Sequence, residues 1–108
     1  MAAIDLAREY ISHVNGHAGQ AAAALFARDG EIAVPAGRVY RGWDAIAAFV
    51  AAAPPGTRAQ IAERTMGTHR VVLRGVVQTP RLAPAQIEWV FEVEQGCIQR
   101  LAIHHLRR

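Results

Sequence analysis

The spacing of apolar residues changes at Thr57, and this change constrains the fold more strongly than any other feature of the sequence. Before Thr57, apolar residues recur every three or four positions, which is typical of amphipathic helices. From Thr57 onward they alternate with polar residues, which is typical of strands with one buried face. A chain of 108 residues has room for one hydrophobic core. We therefore predict a single α+β domain over residues 1–108, with three N-terminal helices packed on a curved, mixed or antiparallel β-sheet.

The first part of the chain is predicted to form two helices and a short strand. Apolar residues at helical spacing place Tyr10 on the buried side of the first helix, which Asn15-Gly16 ends. The alanine-rich run 18–27 predicts a second helix that stops at Asp29-Gly30. Residues 31–35 then predict a strand that ends at a proline.

A third helix and four long strands are predicted to follow. The helix opens at Gly42-Trp43-Asp44, where a carboxylate suits the unpaired amides of the first turn, and Pro54-Pro55-Gly56 ends it. The strands are predicted at residues 58–68, 70–78, 85–94 and 97–105.

Alternation along these strands separates an apolar face from a charged face. Trp89 and Phe91 share the apolar face with Leu101 and Ile103, and the helices are expected to cover it. Arginines and glutamates occupy the other face, where Val90 and neighbouring valines interrupt them. This mixture predicts a homodimer formed through the charged face of the sheet.

The inventory of reactive side chains argues against covalent catalysis. The chain has no lysine, a single serine (Ser12) and a single cysteine (Cys97), so it offers neither a Schiff-base lysine nor a serine nucleophile in a Gly-x-Ser-x-Gly motif. His13 and His17 are four residues apart, but Gly16 interrupts the helix between them, so no metal site is expected. We also expect no cofactor.

Composition also bears on partners and location. The twelve arginines are spread along the chain rather than gathered in one stripe, so we expect no nucleic-acid partner. No apolar run approaches the roughly 18 residues that a membrane span needs, and no signal-peptide pattern occurs. The sequence therefore predicts a cytoplasmic protein with no membrane partner.

The order of motifs in the first half of the chain resembles the nuclear transport factor 2-like superfamily, and within it the ketosteroid isomerase and SnoaL-like proteins. This resemblance implies a cone-shaped fold with a pocket at its centre. The residues that carry it run without a gap from Tyr10 through Asn15 and Leu25-Phe26-Ala27 to Pro35, and continue with Gly37, Gly42, Ala45-Ile46 and Phe49.

The resemblance also implies which residues would form an isomerase site. In ketosteroid isomerases a carboxylate before the strand-ending proline moves the proton, while a tyrosine and a protonated aspartic acid bind the oxyanion. Here Tyr10 matches the tyrosine, whereas Val34 and Trp89 stand in place of the two acids. Valine cannot accept a proton and indole offers only one N–H donor, so isomerisation by that mechanism is not expected.

The leading hypothesis is therefore a SnoaL-like domain that binds a small apolar molecule, with Tyr10 and Trp89 as polar contacts. An alternative is a cofactor-independent isomerase, cyclase or dehydratase that uses Tyr10 with Glu63 or His105 as the acid or base. The sequence leaves open whether Glu63 and His105 point inward or outward. A third possibility is a non-catalytic dimerisation module. The predicted apolar wall of the pocket consists of Phe26, Val34, Phe49, Phe91, Leu101 and Ile103.

Overall fold

The computed structural model describes residues 1–106 and has three helices packed on one face of a six-stranded sheet, the α+β class that the sequence predicts. Within these residues, no helix is long and apolar enough to cross a membrane. The elements are α1 (Ala3–Asn15), α2 (Gly19–Ala23), β1 (Phe26–Ala33), a 3₁₀ turn (Pro35–Gly37), β2 (Val39–Arg41), α3 (Trp43–Ala51), β3 (Arg58–Met66), β4 (Arg70–Gln78), β5 (Ala85–Glu94) and β6 (Cys97–His105).

The sheet is mixed, with strand order β2-β1-β6-β5-β4-β3. β1 runs parallel to β6, and the other neighbouring pairs are antiparallel. β1 therefore lies inside the sheet although it comes first in the chain, and only β2 and β3 form the edges. The inner face, which the helices cover, carries the apolar residues assigned to it by alternation: Val71, Leu73, Ile87, Trp89, Phe91 and Leu101 are all buried.

The second helix is shorter than predicted. α2 ends at Ala23 and β1 begins at Phe26, so residues 28–30 lie within a strand and do not end a helix. The Ile98 N–H donates to Leu25 O at 2.9 Å, and Phe26 pairs with Ile98 in the parallel ladder. Because this pairing satisfies backbone groups and buries Phe26, tertiary structure overrides the helix propensity of the alanine run.

The other boundaries lie close to the predicted ones. β4, β5 and β6 have the predicted bounds. β3 ends at Met66, before the predicted Thr68, because the Gly67 N–H donates to Arg70 O at 2.7 Å and begins the turn into β4. The predicted strand 31–35 corresponds only to the second half of β1, which ends before the 3₁₀ turn.

A bulge in β3 changes which side chains face the helices. Ala59 and Ile61 pair with Val77 and Gly75, so they lie on the inner face. The register then shifts, and Glu63 pairs with Arg74 on the outer face. One extra residue in a strand moves every following side chain to the opposite face, so the parity of β3 reverses at this point.

The outer face of the sheet carries an apolar row between two charged rows. On one side, Arg74 Nε lies 2.9 Å from Glu88 Oε2. On the other side, Glu31 forms ion pairs with both Arg41 and Arg100. Cross-strand pairing aligns three small apolar side chains between these rows, Val72, Val90 and Ala102.

Candidate functional site

A cavity of about 510 Å³ lies between the helices and the inner face of the sheet. α1 and α3 supply one wall, residues of β3 to β6 supply the other, and the loop 79–84 borders it. Cavities of this size with mostly apolar walls are typical binding sites for small organic molecules. The apolar residues that line it include Val14, Phe49, Val50, Ala53, Val77, Ile87 and Ile103.

Tyr10 projects from α1 to the inner end of this cavity. Its side chain is 1% exposed. The ring packs edge-on against Phe26 and Phe91, with centroid distances of 6.0 and 5.7 Å and interplanar angles of 73° and 70°. Such edge-to-face contacts add to the free energy gained by burial, so the ring is held firmly while the residue also borders the cavity.

The Tyr10 hydroxyl is a protonated donor that has no partner among the described residues. None of the side-chain hydrogen bonds among residues 1–106 involves it. Burial raises the pKa of this hydroxyl well above its usual value of 10.0, because the charged form loses its hydration. At neutral pH the group can therefore donate a hydrogen bond to a bound molecule or accept one from it.

Trp89 contributes a second polar atom to the same cavity. It lies on β5, pairs with Leu73 and Ile103, and is 4% exposed. Its indole N–H takes no part in the side-chain hydrogen bonds of the described residues. Because this group donates but cannot accept, it suits a neutral acceptor on the ligand.

The structure places part of the predicted wall behind the cavity and not along it. Tyr10, Phe49, Trp89 and Ile103 line the cavity. Phe26, Phe91 and Leu101 are fully buried in the core and do not border the cavity. Phe26 and Phe91 contact the ring of Tyr10, so they support the cavity residue without reaching the space in front of it.

Val34, which stands where ketosteroid isomerases carry their base, also lies outside the cavity wall. It is half-buried between β1 and the 3₁₀ turn. Its N–H donates to Arg38 O at 2.9 Å, and its carbonyl accepts from Gly37 N at 3.2 Å. These bonds tie its backbone into a tight turn, so the residue serves the turn and not the cavity.

Glu63 does not meet Tyr10 in the cavity. In a regular ladder that continued from Ile61 and Gly75, Glu63 would oppose Leu73 and face inward. The bulge instead pairs it with Arg74, and its side chain is exposed. The inward carboxylate that one version of the enzymatic hypothesis requires is therefore absent from the cavity wall that the structure describes.

His105 reaches the cavity although it is exposed. It pairs with Ile87, a residue of the inner face, and both residues line the cavity. His105 also borders a shallower depression beside Pro35 and Pro84, so it lies at the mouth of the cavity. His105 is the one histidine of the described cavity wall, and an imidazole can both accept and donate a proton.

Sequence reasoning missed Thr57, which is the most buried polar residue of the wall after Tyr10 and Trp89. Thr57 is 7% exposed and lines the cavity just before β3 begins. Its Oγ1 is buried and has no hydrogen-bond partner in the described chain. The alternation of Thr57, Ala59 and Ile61 places all three on the inner face, so a signal for this residue was present.

Tyr40 was also missed. It belongs to the three-residue strand β2, and its ring packs against Phe49 with a centroid distance of 4.7 Å. Arg38 Nη1 lies 3.4 Å from the Tyr40 hydroxyl at the surface. So short a strand has no periodicity that could assign its faces.

The cavity is electrically neutral at its wall. None of the described residues that line it is an aspartate, glutamate or arginine. Within residues 1–106, no three His, Cys, Asp or Glu side chains are grouped to hold a metal ion. Because an apolar site without a counter-charge disfavours ions, the arrangement suits a neutral organic molecule with one or a few hydrogen-bonding atoms.

Helices packed on one face of a six-stranded mixed sheet are the architecture of the nuclear transport factor 2-like superfamily. A model of the SnoaL-like domain matches residues 7–101, and the chain belongs to this family. No curated protein matches the chain.

Several solved structures share the fold. A protein from Sphaerobacter thermophilus is 74% identical with a TM-score of 0.94, and the match covers 100% of this chain and 99% of that one. A proposed ketosteroid isomerase from Kribbella flavida is 19% identical with a TM-score of 0.86, covering 96% of this chain and 77% of that one. A proposed polyketide cyclase from Sinorhizobium meliloti is 24% identical with a TM-score of 0.79, covering 93% and 94%. The last two show likeness of fold alone.

Proposed function

We propose that this SnoaL-like domain binds a small, neutral, predominantly apolar molecule in the cavity that Tyr10 borders, without a cofactor. The observation that carries the proposal is the hydroxyl of the buried residue Tyr10, which is protonated, forms no side-chain hydrogen bond with the described residues and borders a wall that is otherwise mainly apolar. A polar atom in such a place costs free energy unless a ligand or water completes its hydrogen bond. A cytoplasmic location stays a prediction from the sequence.

The size of the cavity sets the affinity that such binding can reach. A ligand that buries about 300 Å² of apolar surface gains about 7.5 kcal/mol. Association costs about 4 kcal/mol or more in lost translation and rotation, so apolar burial alone gives weak binding. Because the apolar contribution is small, each hydrogen bond to a polar group of the wall changes the affinity appreciably. These few polar groups therefore determine which molecule binds.

A fluorescence titration with N-phenyl-1-naphthylamine, a neutral apolar probe, tests the proposal. We expect saturable binding by the wild-type protein. Ala53→Trp should abolish it because Ala53 lines the cavity, whereas Ala48→Trp on an exposed part of α3 should not affect it. Equal binding by both variants, or no binding by the wild type, would refute the proposal.

A second candidate function is cofactor-independent catalysis, which the shared position of Tyr10 and His105 in one cavity wall favours. In this scheme a neutral His105 nitrogen takes a proton from the carbon beside a ligand carbonyl, while the Tyr10 hydroxyl donates to the oxygen that gains charge. Return of the proton to the same carbon regenerates the ligand, whereas its return to a conjugated carbon completes an isomerisation.

Hydrogen–deuterium exchange of 2-tetralone, an enolisable apolar ketone, tests this candidate by NMR in D₂O. The wild type should accelerate exchange beside the carbonyl. His105→Gln should remove the acceleration, and Tyr10→Phe should reduce it by about 10²-fold or more. An exchange rate equal to that of buffer would exclude proton abstraction from this ketone and leave binding as the function.

A homodimer through the outer face of the sheet remains part of the proposal. It is supported by the apolar row that contains Val72 and Val90 and by the charged rows of both signs beside it. Two copies related by a twofold axis can cover this row while charges of opposite sign meet. Light scattering should give twice the chain mass for wild type and Gln20→Glu on α2, but a monomer mass for Val72→Glu. A monomeric wild type would contradict the dimer.

A further inference from the structure

Thr57 is the buried side chain of the described residues whose oxygen lacks any hydrogen-bond partner. The residue is 7% exposed, so its hydroxyl is removed from bulk water. Buried hydroxyls in proteins are almost always paired, and an unpaired one needs an explanation such as a missing ligand or water. Thr57 lines the cavity, so a change of its χ1 rotamer would turn the hydroxyl towards a ligand or water in that space.

Hydrogen bonds of the neighbouring backbone hold Thr57 in place. Its N–H donates to Pro54 O at 3.1 Å, which closes the turn that follows α3. Arg58 then begins β3, and the backbone of Ala59 is bonded by the side chain of Asn15. The chain is therefore fixed on both sides of Thr57, while its hydroxyl takes no part in fixing it.

We propose that the Thr57 hydroxyl is a second polar contact for the bound molecule, which makes the cavity selective for apolar molecules with a neutral oxygen group over hydrocarbons of the same shape. The inference rests on the proposed binding function, since it assigns a role within the same cavity. Tyr10 belongs to α1, whereas Thr57 lies just before β3. The two hydroxyls would therefore contact the ligand from different parts of the cavity wall.

A pair of probes of nearly equal size separates this role from simple apolar burial. 2-Naphthol and 2-methylnaphthalene differ by a hydroxyl in place of a methyl group. The wild type should bind 2-naphthol more tightly. Thr57→Val, which keeps the shape of the side chain, should reduce this preference by about 3- to 10-fold, whereas Thr57→Ser should retain it.

Thr68→Val is the matched control, because it exchanges the same atoms at an exposed residue between β3 and β4 that does not line the cavity. We expect it to keep the preference of the wild type. Thr57→Val should melt at the same temperature as the wild type or higher, since it replaces an unpaired buried hydroxyl by a methyl group. Thr57→Ala serves as the hydroxyl-free variant if the valine does not fit.

The outcomes distinguish this inference from the function on which it rests. If the wild type binds both probes equally, or if Thr57→Val keeps the preference, the role of Thr57 is refuted while apolar binding stands. A marked loss of melting temperature in both Thr57→Val and Thr57→Ala also refutes it, because the hydroxyl would then already serve the unliganded fold. If the wild type binds neither probe, the proposed function fails and this inference fails with it.

Discussion

The side chain of Asn15 bonds both backbone groups of Ala59: Nδ2 donates to Ala59 O at 2.9 Å, and Oδ1 accepts from the Ala59 N–H at 2.6 Å. β3 is an edge strand, so these two groups have no neighbouring strand to pair with. The amide at the end of α1 takes the place of that strand. It thereby fixes the helix that carries Tyr10 against the strand that begins beside Thr57.

Asn15→Ala should lower the free energy of unfolding by about 1–3 kcal/mol, because it leaves a partly buried N–H and C=O without partners. Ser12→Ala on the exposed side of the same helix is the control and should have little effect. Urea denaturation measures both variants. Equal stability of the two would show that water replaces the asparagine at no cost.

Tyr10→Phe should leave the free energy of unfolding unchanged or raise it slightly, since it removes a hydroxyl that has no protein partner and keeps the ring between Phe26 and Phe91. Tyr10→Ala should cost about 3–5 kcal/mol, because it leaves a cavity in the core. Chemical denaturation checks both values. A large loss in Tyr10→Phe would mean that the hydroxyl stabilises the unliganded protein.

Stability should fall at alkaline pH through Tyr10. Burial raises the pKa of the folded hydroxyl above 10.0, so above that pH the unfolded chain releases a proton that the folded protein retains. The unfolded state then binds fewer protons, and the free energy of unfolding decreases by up to about 1.4 kcal/mol per pH unit. Denaturation at pH values from 8 to 11 should show this decrease in the free energy of unfolding of the wild type. Tyr10→Phe should lack the part of the decrease that comes from the Tyr10 hydroxyl.

Gly75→Ala should destabilise the pairing of β3 with β4. A Cβ atom at position 75 would overlap Gln60 O and lie 2.9 Å from Ile61 Cα, and both are backbone atoms that cannot turn away. We expect a loss of about 1–3 kcal/mol, the usual cost of an overpacked site. Gly16→Ala is the control, since its nearest contact would be an ordinary 3.5 Å. Equal melting temperatures for the two variants would contradict the close approach.

Much of the fold is predictable from the sequence, because regular helical spacing or alternation of apolar residues decides which face of an element is buried. β4 and β5 alternate regularly and pair in an unbroken register, so their bounds and faces follow from the sequence. The end of α2 does not, because the alanines before Phe26 favour a helix while pairing with Ile98 requires a strand. The outcome depends on where β6 lies in the folded sheet, and the spacing of neighbouring residues does not reveal that position.

The candidate site is less predictable because alternation gives a face but not a depth. Trp89 and Phe91 are two positions apart on the same face, yet Trp89 borders the cavity and Phe91 lies behind Tyr10. The outward orientation of Glu63 results from a bulge that neither composition nor residue spacing indicates. Thr57 is the opposite case. Alternation indicates that it lies on the inner face, and only the structure shows that its hydroxyl lacks a hydrogen-bond partner among the described residues.

The bulge in β3 also bears on how separate molecules behave at high concentration. An edge strand with a regular row of free N–H and C=O groups invites another chain to extend the sheet. Here Asn15 covers the groups of Ala59, the shift after Ile61 breaks the row, and exposed arginines at positions 58 and 64 add repulsion between like edges. The irregularity that keeps Glu63 out of the cavity therefore also protects this edge of the sheet against aggregation.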